Sequence, residues 1–197
     1  MEEFPASLVS QIAQDGIFLE ARAGCSLRAF LSGECCISPE YIDNRISTIF
    51  LDSSPVDDID SAMIKDGSII ALSAAMPGLV GAAMRRGGAY AAIRSSITHA
   101  EKEEYCRQGT VIVRLKLFNM VLKELGPGFF EKGVYVKCHD LARSLAEQTD
   151  DFWEKCKELI INGEQIECLR LRRGHYDFNC ETALLTITVS GLSHTVP

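Results

Sequence analysis

Residues 158–169 read ELIINGEQIECL. Two apolar runs flank Asn162–Gly163, the pair that supplies the positive φ angles a tight hairpin turn needs. The stretch therefore reads as a β-hairpin, and its neighbours follow from it. TALLTITVS (182–190) is a β-branched final strand, and VYVKCHD (134–140) is an earlier one. Between them, DLARSLAEQTDDFWEKC (140–156) carries Leu141, Leu145, Phe152 and Trp153 around an acidic break, which predicts a helix in two pieces capped by Asp140. TVIVRLKLFN (110–119) alternates, with Val111, Val113, Leu115 and Leu117 facing one way and Arg114 and Lys116 the other: a half-buried strand. LGPGFFEKG (125–133) supplies turn residues. LRLRRGH (169–175) alternates leucine and arginine and reads as an amphipathic edge strand, whose basic side is either solvated or a docking face for an acidic partner. Residues 110–190 thus read β-β-α-β-β-β.

The first half carries a fainter version of the same order. FPASLVSQIAQD (4–15) has helical spacing and GIFLEARAG (16–24) reads as a strand. CSLRAFLSG (25–33) reads as a short helix with Ser26 as cap and Gly33 as stop. SPEYIDNR (38–45) starts another, with Ser38 at the cap and Pro39 at the first position. In residues 46–51 apolar groups fall on both faces, as in a central strand. Asp52–Ser54 is a turn, 55–58 a short edge segment, and Asp66–Gly67 a turn into a strand at Ser68–Ala74. From Pro77 to Thr98 the residues are small and helical, interrupted at Gly87–Gly88, and the charged HAEKEEYCRQG (99–109) marks a boundary.

The order in residues 110–190 resembles a β-grasp (ubiquitin-like) domain, and in particular the sulfur carriers of molybdopterin and thiamine synthesis. The stretches that carry the likeness are IVRLKLFNMVLKELG, LARSLAEQ and ELIINGEQI. In the first half, GIFLEARAGCSLRAFL resembles the second strand and helix, and ISTIFLDSSPVDDIDSAMIKDGSIIALSAAMPG the third strand through the last. Side by side, ISTIFLDSSPV matches KELIINGEQI, and GSIIALSAAMPG matches TALLTITVSG, so the resemblance implies two diverged copies. A first strand for the N-terminal copy is not legible in residues 1–15; its place falls to a helix or to a strand from elsewhere in the chain. The expected architecture is α+β, with two β-grasp-like units (mixed sheets with packed helices) joined by a helical segment: a unit over 1–76, a connector over 77–109 and a domain over 110–197. Sulfur carriers act through a free C-terminal Gly-Gly. These residues end SGLSHTVP, so the resemblance implies a scaffold without the carrier chemistry.

Composition narrows the function. The 197 residues are 47% hydrophobic and 24% charged, enough apolar material for a core. A net charge of −7 argues against a general nucleic-acid binder, which needs a broad basic surface. MEEFPASLVS has no apolar leader pattern, and the uncharged run 68–84 is short of the roughly 20 residues of a membrane span. The expectation is a cytoplasmic protein without membrane or nucleic-acid partners. The eight cysteines include no C-x-x-C pair, so reduced, mostly buried thiols are expected, with Cys25, Cys35 and Cys36 as a candidate metal or thiol site.

MPGLVGAAMRRGGAY (76–90) is the candidate ligand segment. Gly78, Gly81, Arg85, Arg86, Gly87, Gly88 and Arg94 form a candidate anion-binding set, although the spacing is not that of a phosphate loop. The alternative is a glycine-lined helix packed closely on a sheet and followed by a Gly-Gly break. A ubiquitin-type RRGG tail would need cleavage after Gly88. Asp57, Asp58 and Asp60 cluster without the calcium-loop pattern. Cys138–His139, adjacent on a strand, would point to opposite faces, so a nucleophile pair would need His99, His175 or His194. The sequence holds no complete catalytic set and implies no cofactor. It favours a binding or scaffolding protein with a protein partner or self-association; the alternative is an anion- or nucleotide-binding protein or small enzyme using Arg85 and Arg86.

Overall fold

The structure, a computed structural model, describes residues 5–90, 98, 109–156, 158–174, 176 and 178–187. The fold is α+β. In chain order it runs α1 (Ala6–Asp15), β1 (Ile17–Arg22), α2 (Leu27–Ala29) leading into a π turn (Phe30–Glu34), α3 (Pro39–Asn44), β2 (Thr48–Leu51), β3 (Ser54–Pro55), β4 (Ile69–Ser73) and α4 (Gly78–Met84). It continues with β5 (Thr110–Phe118), α5 (Asn119–Lys132), β6 (Val134–Lys137), α6 (Cys138–Ala146), α7 (Asp150–Lys155), β7 (Glu158–Ile161), β8 (Glu164–Glu167), α8 (Cys168–Arg172) and β9 (Thr182–Thr186). Local chemistry sets many of these starts. The Ser26, Ser38 and Thr149 hydroxyls accept the amide hydrogens of Ala29, Tyr41 and Phe152, satisfying donors that a first helical turn leaves open.

The chain divides into two compact units, Phe18–Glu124 and a discontinuous one made of Met1–Ile17 with Leu125–Pro197. In the first, the strands lie in the order β3-β2-β4-β5-β1. β2 pairs antiparallel with β3 and β4, and β4 pairs parallel with β5, Ile70 opposite Leu115 and Leu72 opposite Leu117. Ile49, Leu51, Ile70, Leu72, Val113, Leu115 and Leu117 are fully buried on one face. β5 therefore lies in the same unit as β4.

In the discontinuous unit the order is β6-β9-β7-β8, all antiparallel. α1 buries Leu8, Val9, Ile12 and Ala13 and packs on α6. Gln148 Nε2 donates to Gln11 Oε1 at 2.6 Å, and Arg143 Nη2 reaches Asp15 Oδ2 at 2.8 Å. Within the Phe18–Glu124 unit, Glu124 accepts from Tyr41 of α3 and from Arg45, the residue that follows that helix.

Gly16, between α1 and β1, and Gly133, between α5 and β6, both lie at positive φ, 116° and 91°. The β2–β3 turn holds Asp52 and Ser53 at φ 50° and 69°, and the β7–β8 turn holds Asn162 and Gly163 at 54° and 80°.

Three stretches differ from the sequence reading. Residues 119–132 are helical rather than a turn: burying Val121, Leu122, Phe129 and Phe130 outweighs the roughly 3 kcal/mol that an internal Pro127 costs. Cys138–His139 open α6 rather than extend β6, because Cys138, Leu141, Ser144 and Leu145 fall on one buried helical face; the helix starts before Asp140, which lies in its first turn. Residues 168–172 form α8 rather than an edge strand, since the buried pair is Cys168 and Leu171, three apart. The order from residue 110 is therefore β-α-β-α-α-β-β-α-β.

Candidate functional site

α4 begins one residue after Pro77, and Gly81 is its one buried position. A Cβ at Gly81 would lie 1.9 Å from the Met76 carbonyl oxygen, so the glycine lets the helix close onto the chain that leads into it. Ser47, Ala75, Met76, Gly78, Gly81, Ala82 and Arg85 line a cavity of about 200 Å³ here. Arg85 is exposed on this rim.

The amides beyond α4 are spent within the protein. Arg86 N donates to Ser47 O at 2.8 Å, Gly87 N to Asp57 Oδ1 at 3.1 Å and Gly88 N to Arg85 O at 3.1 Å. The Arg86 guanidinium turns inward, donating from Nη2 to Ile42 O at 3.0 Å and lying 3.5 Å from Asp43 Oδ1, while Nη1 is buried with no hydrogen-bond partner among the described residues. Burial pushes Arg86 below its ordinary value, offset in part by Asp43. Asp43 and Asp60 also bind Arg28, at 3.2 and 2.7 Å. Arg85, Gly78 and Gly81 are thus brought together at the cavity, whereas Arg86 ties the segment to α3, Gly87 ties it to Asp57, and Gly88 closes a turn on Arg85. Arg94, His99, His175 and His194 lie outside the described residues.

The other candidate clusters are also absorbed locally. Asp58 accepts the amides of Asp60 and Ser61, which hold its carboxyl below the usual range. Among the described residues no group of three His, Cys, Asp or Glu side chains is placed to hold a metal. Cys25 is half-buried, Cys35 buried and Cys36 exposed; burial, then Glu34, raises the Cys25 thiol. Against the expectation of eight reduced thiols, Cys138 and Cys180 form a disulfide across a Cα–Cα distance of 6.1 Å. Cys156 and Cys168 face each other with Sγ atoms 2.9 Å apart. Their nearly symmetric spacing about Asn162–Gly163 was the sequence signal for this pairing.

The sequence reading also passed over the second face of the Phe18–Glu124 sheet. Strand register puts Phe50, Ile69, Ala71, Arg114, Lys116 and Phe118 on the side opposite the buried leucines and isoleucines. Phe18 joins them, since the Arg114 guanidinium carbon lies 5.6 Å above its ring. A solvent face of an antiparallel or mixed sheet is ordinarily polar. Here Ile69 is 38% and Ile112 44% exposed, and Phe18, Phe50 and Phe118 are half-buried. The signal was present in residues 46–51, where apolar groups fall on both faces; it marked a face left half-open as well as a central strand.

Comparison with protein-family models, curated proteins and solved structures finds no match to this chain. Among the described residues no helix is long and apolar enough to cross a membrane.

Proposed function

We propose that this chain is a non-enzymatic binding or scaffolding protein, built on two β-grasp-like units, that captures a protein partner on the half-open face of β4 and β5. The observation that carries the reading is the exposure of Ile69 and Ile112 beside Phe18, Phe50 and Phe118, an apolar patch flanked by Arg114 and Lys116. Exposed apolar patches of this kind mark interaction surfaces more often than bare solvent faces. The partner it fits is apolar at its centre, with carboxylates placed to meet the two cations.

The two-unit reading draws support from the shared order of helix, glycine, strand, helices, hairpin and closing strand, to which the second half adds α8 before β9, and from the paired turns at Asp52–Ser53 and Asn162–Gly163. In this reading β5 supplies the strand that the N-terminal unit lacks.

The test compares the wild type with an Ile69→Ser, Ile112→Ser double variant. Each is immobilised and exposed to native lysate, and each is measured alone by light scattering for self-association. The wild type retains a stoichiometric partner, or forms a defined oligomer, and the variant loses it by about tenfold or more. A folded double variant that binds as the wild type does sinks the proposal.

A further inference from the structure

Unit Met1–Ile17 with Leu125–Pro197 holds four cysteines, and they fall into two pairs. Cys138 and Cys180 are already joined. Cys156 follows α7 and Cys168 opens α8, on either side of the β7–β8 hairpin. The register of that hairpin, Glu158 opposite Glu167, brings the two cysteines together at its open end. Their Sγ atoms, 2.9 Å apart, are in contact, both side chains are buried, and Cys156 Sγ also lies 3.8 Å from the Glu158 carbonyl oxygen.

The two thiols differ in access. Cys156 lines a cavity of about 250 Å³ together with Pro5, Ala6, Ser7, Thr149, Asp151, Phe152 and Lys155. Cys168 is 1% exposed and is not part of that lining. Hydrogen bonding to Cys156, then burial, holds the Cys168 thiol well above its ordinary value. A thiol that lines a small cavity, with a second buried thiol in contact with it, has the access and the neighbour that thiol–disulfide exchange uses. The cavity is below the size of a typical ligand pocket, so it admits the sulfur end of a small disulfide and not a whole cofactor.

We propose that Cys156 and Cys168 form a thiol–disulfide exchange site, which a low-molecular-weight disulfide entering this cavity oxidises to an intramolecular disulfide. Cys156 gives its proton to water and its thiolate attacks one sulfur of the small disulfide. The sulfur–sulfur bond of that molecule breaks, one thiolate leaves and is protonated from water, and Cys156 carries the other half as a mixed disulfide. Cys168 then loses its proton and attacks Cys156 Sγ, expelling the second small thiolate, which takes up a proton in turn. Two cysteine thiols lose two electrons and two protons in total, and one small disulfide becomes two thiols. The product links the α7 and α8 ends across a separation of 12 residues.

The probe is a series of glutathione buffers of increasing oxidised fraction, read by intact mass and by peptide mapping after rapid alkylation. The expected result in the wild type is loss of two hydrogens assigned to a Cys156–Cys168 linkage, reversed by reduced glutathione under conditions that leave Cys138–Cys180 intact. Cys168→Ser is expected to stop at one glutathione on Cys156. Should Cys168→Ser fail to fold, the wild-type map decides alone. Alkylation of both cysteines as thiols at the most oxidising ratio overturns the proposal, and so does glutathione found on the exposed Cys36 but not on Cys156 in a folded Cys168→Ser protein.

Discussion

Asn162 and Leu184 hold each other through two hydrogen bonds: the Asn162 amide donates to the Leu184 carbonyl at 2.8 Å, and the Leu184 amide donates to Asn162 Oδ1 at 2.8 Å. Asp52 and Ile69 repeat the arrangement, at 2.9 and 2.8 Å. In both cases the first residue of a two-residue turn at positive φ uses its side chain to fasten the closing strand. Asn and Asp suit the position because they tolerate the left-handed region and carry an acceptor on a short arm.

Asn162→Ala is therefore expected to lower unfolding free energy by about 1–2 kcal/mol, combining an unpaired Leu184 amide with backbone strain. Asn162→Asp and Asp52→Asn keep both properties and stay within about 0.5 kcal/mol of the wild type. Urea denaturation of the four proteins checks this, and an Asp52→Ala variant as stable as Asp52→Asn would remove the equivalence of the turns.

Glu124 accepts from Tyr41 Oη at 2.5 Å and pairs with Arg45. Arg45 and then Tyr41 hold the Glu124 carboxyl below its ordinary value, and the same contact raises Tyr41, after burial. A carboxylate depressed in the folded state stabilises above the unfolded value, about 4.3, and that stability is lost as pH falls through the folded value. Glu124→Gln is expected to lower stability at pH 7 by on the order of 0.5 kcal/mol, since the pair is partly solvated. The gap between the proteins closes below about pH 4. Denaturation across pH 3–7 tests it; a gap that widens on acidification contradicts the assignment.

Two glycines on helices should respond oppositely to alanine. At Gly81 the new methyl meets the Met76 carbonyl oxygen, and a loss of about 1–3 kcal/mol is expected. At Gly128, inside α5, nothing lies within 4 Å of a Cβ, and Gly128→Ala is expected to stabilise by about 0.5–1 kcal/mol. Thermal melts of both variants decide it, and a neutral Gly81→Ala would mean that α4 does not pack as described.

Arg85 and Arg86 are neighbours in sequence with different surroundings. Arg86→Ala removes the bond to the Ile42 carbonyl and the contact with Asp43, and a loss of about 1–2 kcal/mol is expected. Arg85→Ala, at an exposed position, is expected within about 0.5 kcal/mol. Equal effects in chemical denaturation would contradict the inward placement of Arg86.

Short-range features were legible in the sequence. The hairpin at Asn162–Gly163, the caps at Ser26 and Ser38, and the alternation of Val113, Leu115 and Leu117 each depend on residues within one turn or one strand. The candidate site was legible only in part. Gly78, Gly81 and Arg85 do meet at one cavity, but nothing in RRGG distinguishes an arginine aimed at Asp43 and Ile42 from one on the rim of that cavity. The apolar groups on both sides of residues 46–51 marked a second face without saying what covers it.

From the sequence came the turns at Asp52–Ser54, Asp66–Gly67 and Asn162–Gly163, the starts of α2 and α3 and the alternation of β5, because those rest on backbone preferences and on hydrogen bonds to near neighbours. The tertiary fold was needed to show that β5 pairs with β4, that α1 packs on α6, that residues 119–132 and 168–172 are helical, and that Cys138 meets Cys180. Each of those outcomes depends on which distant surface buries an apolar face. A short apolar run satisfies strand and helix periods almost equally until that surface is in place.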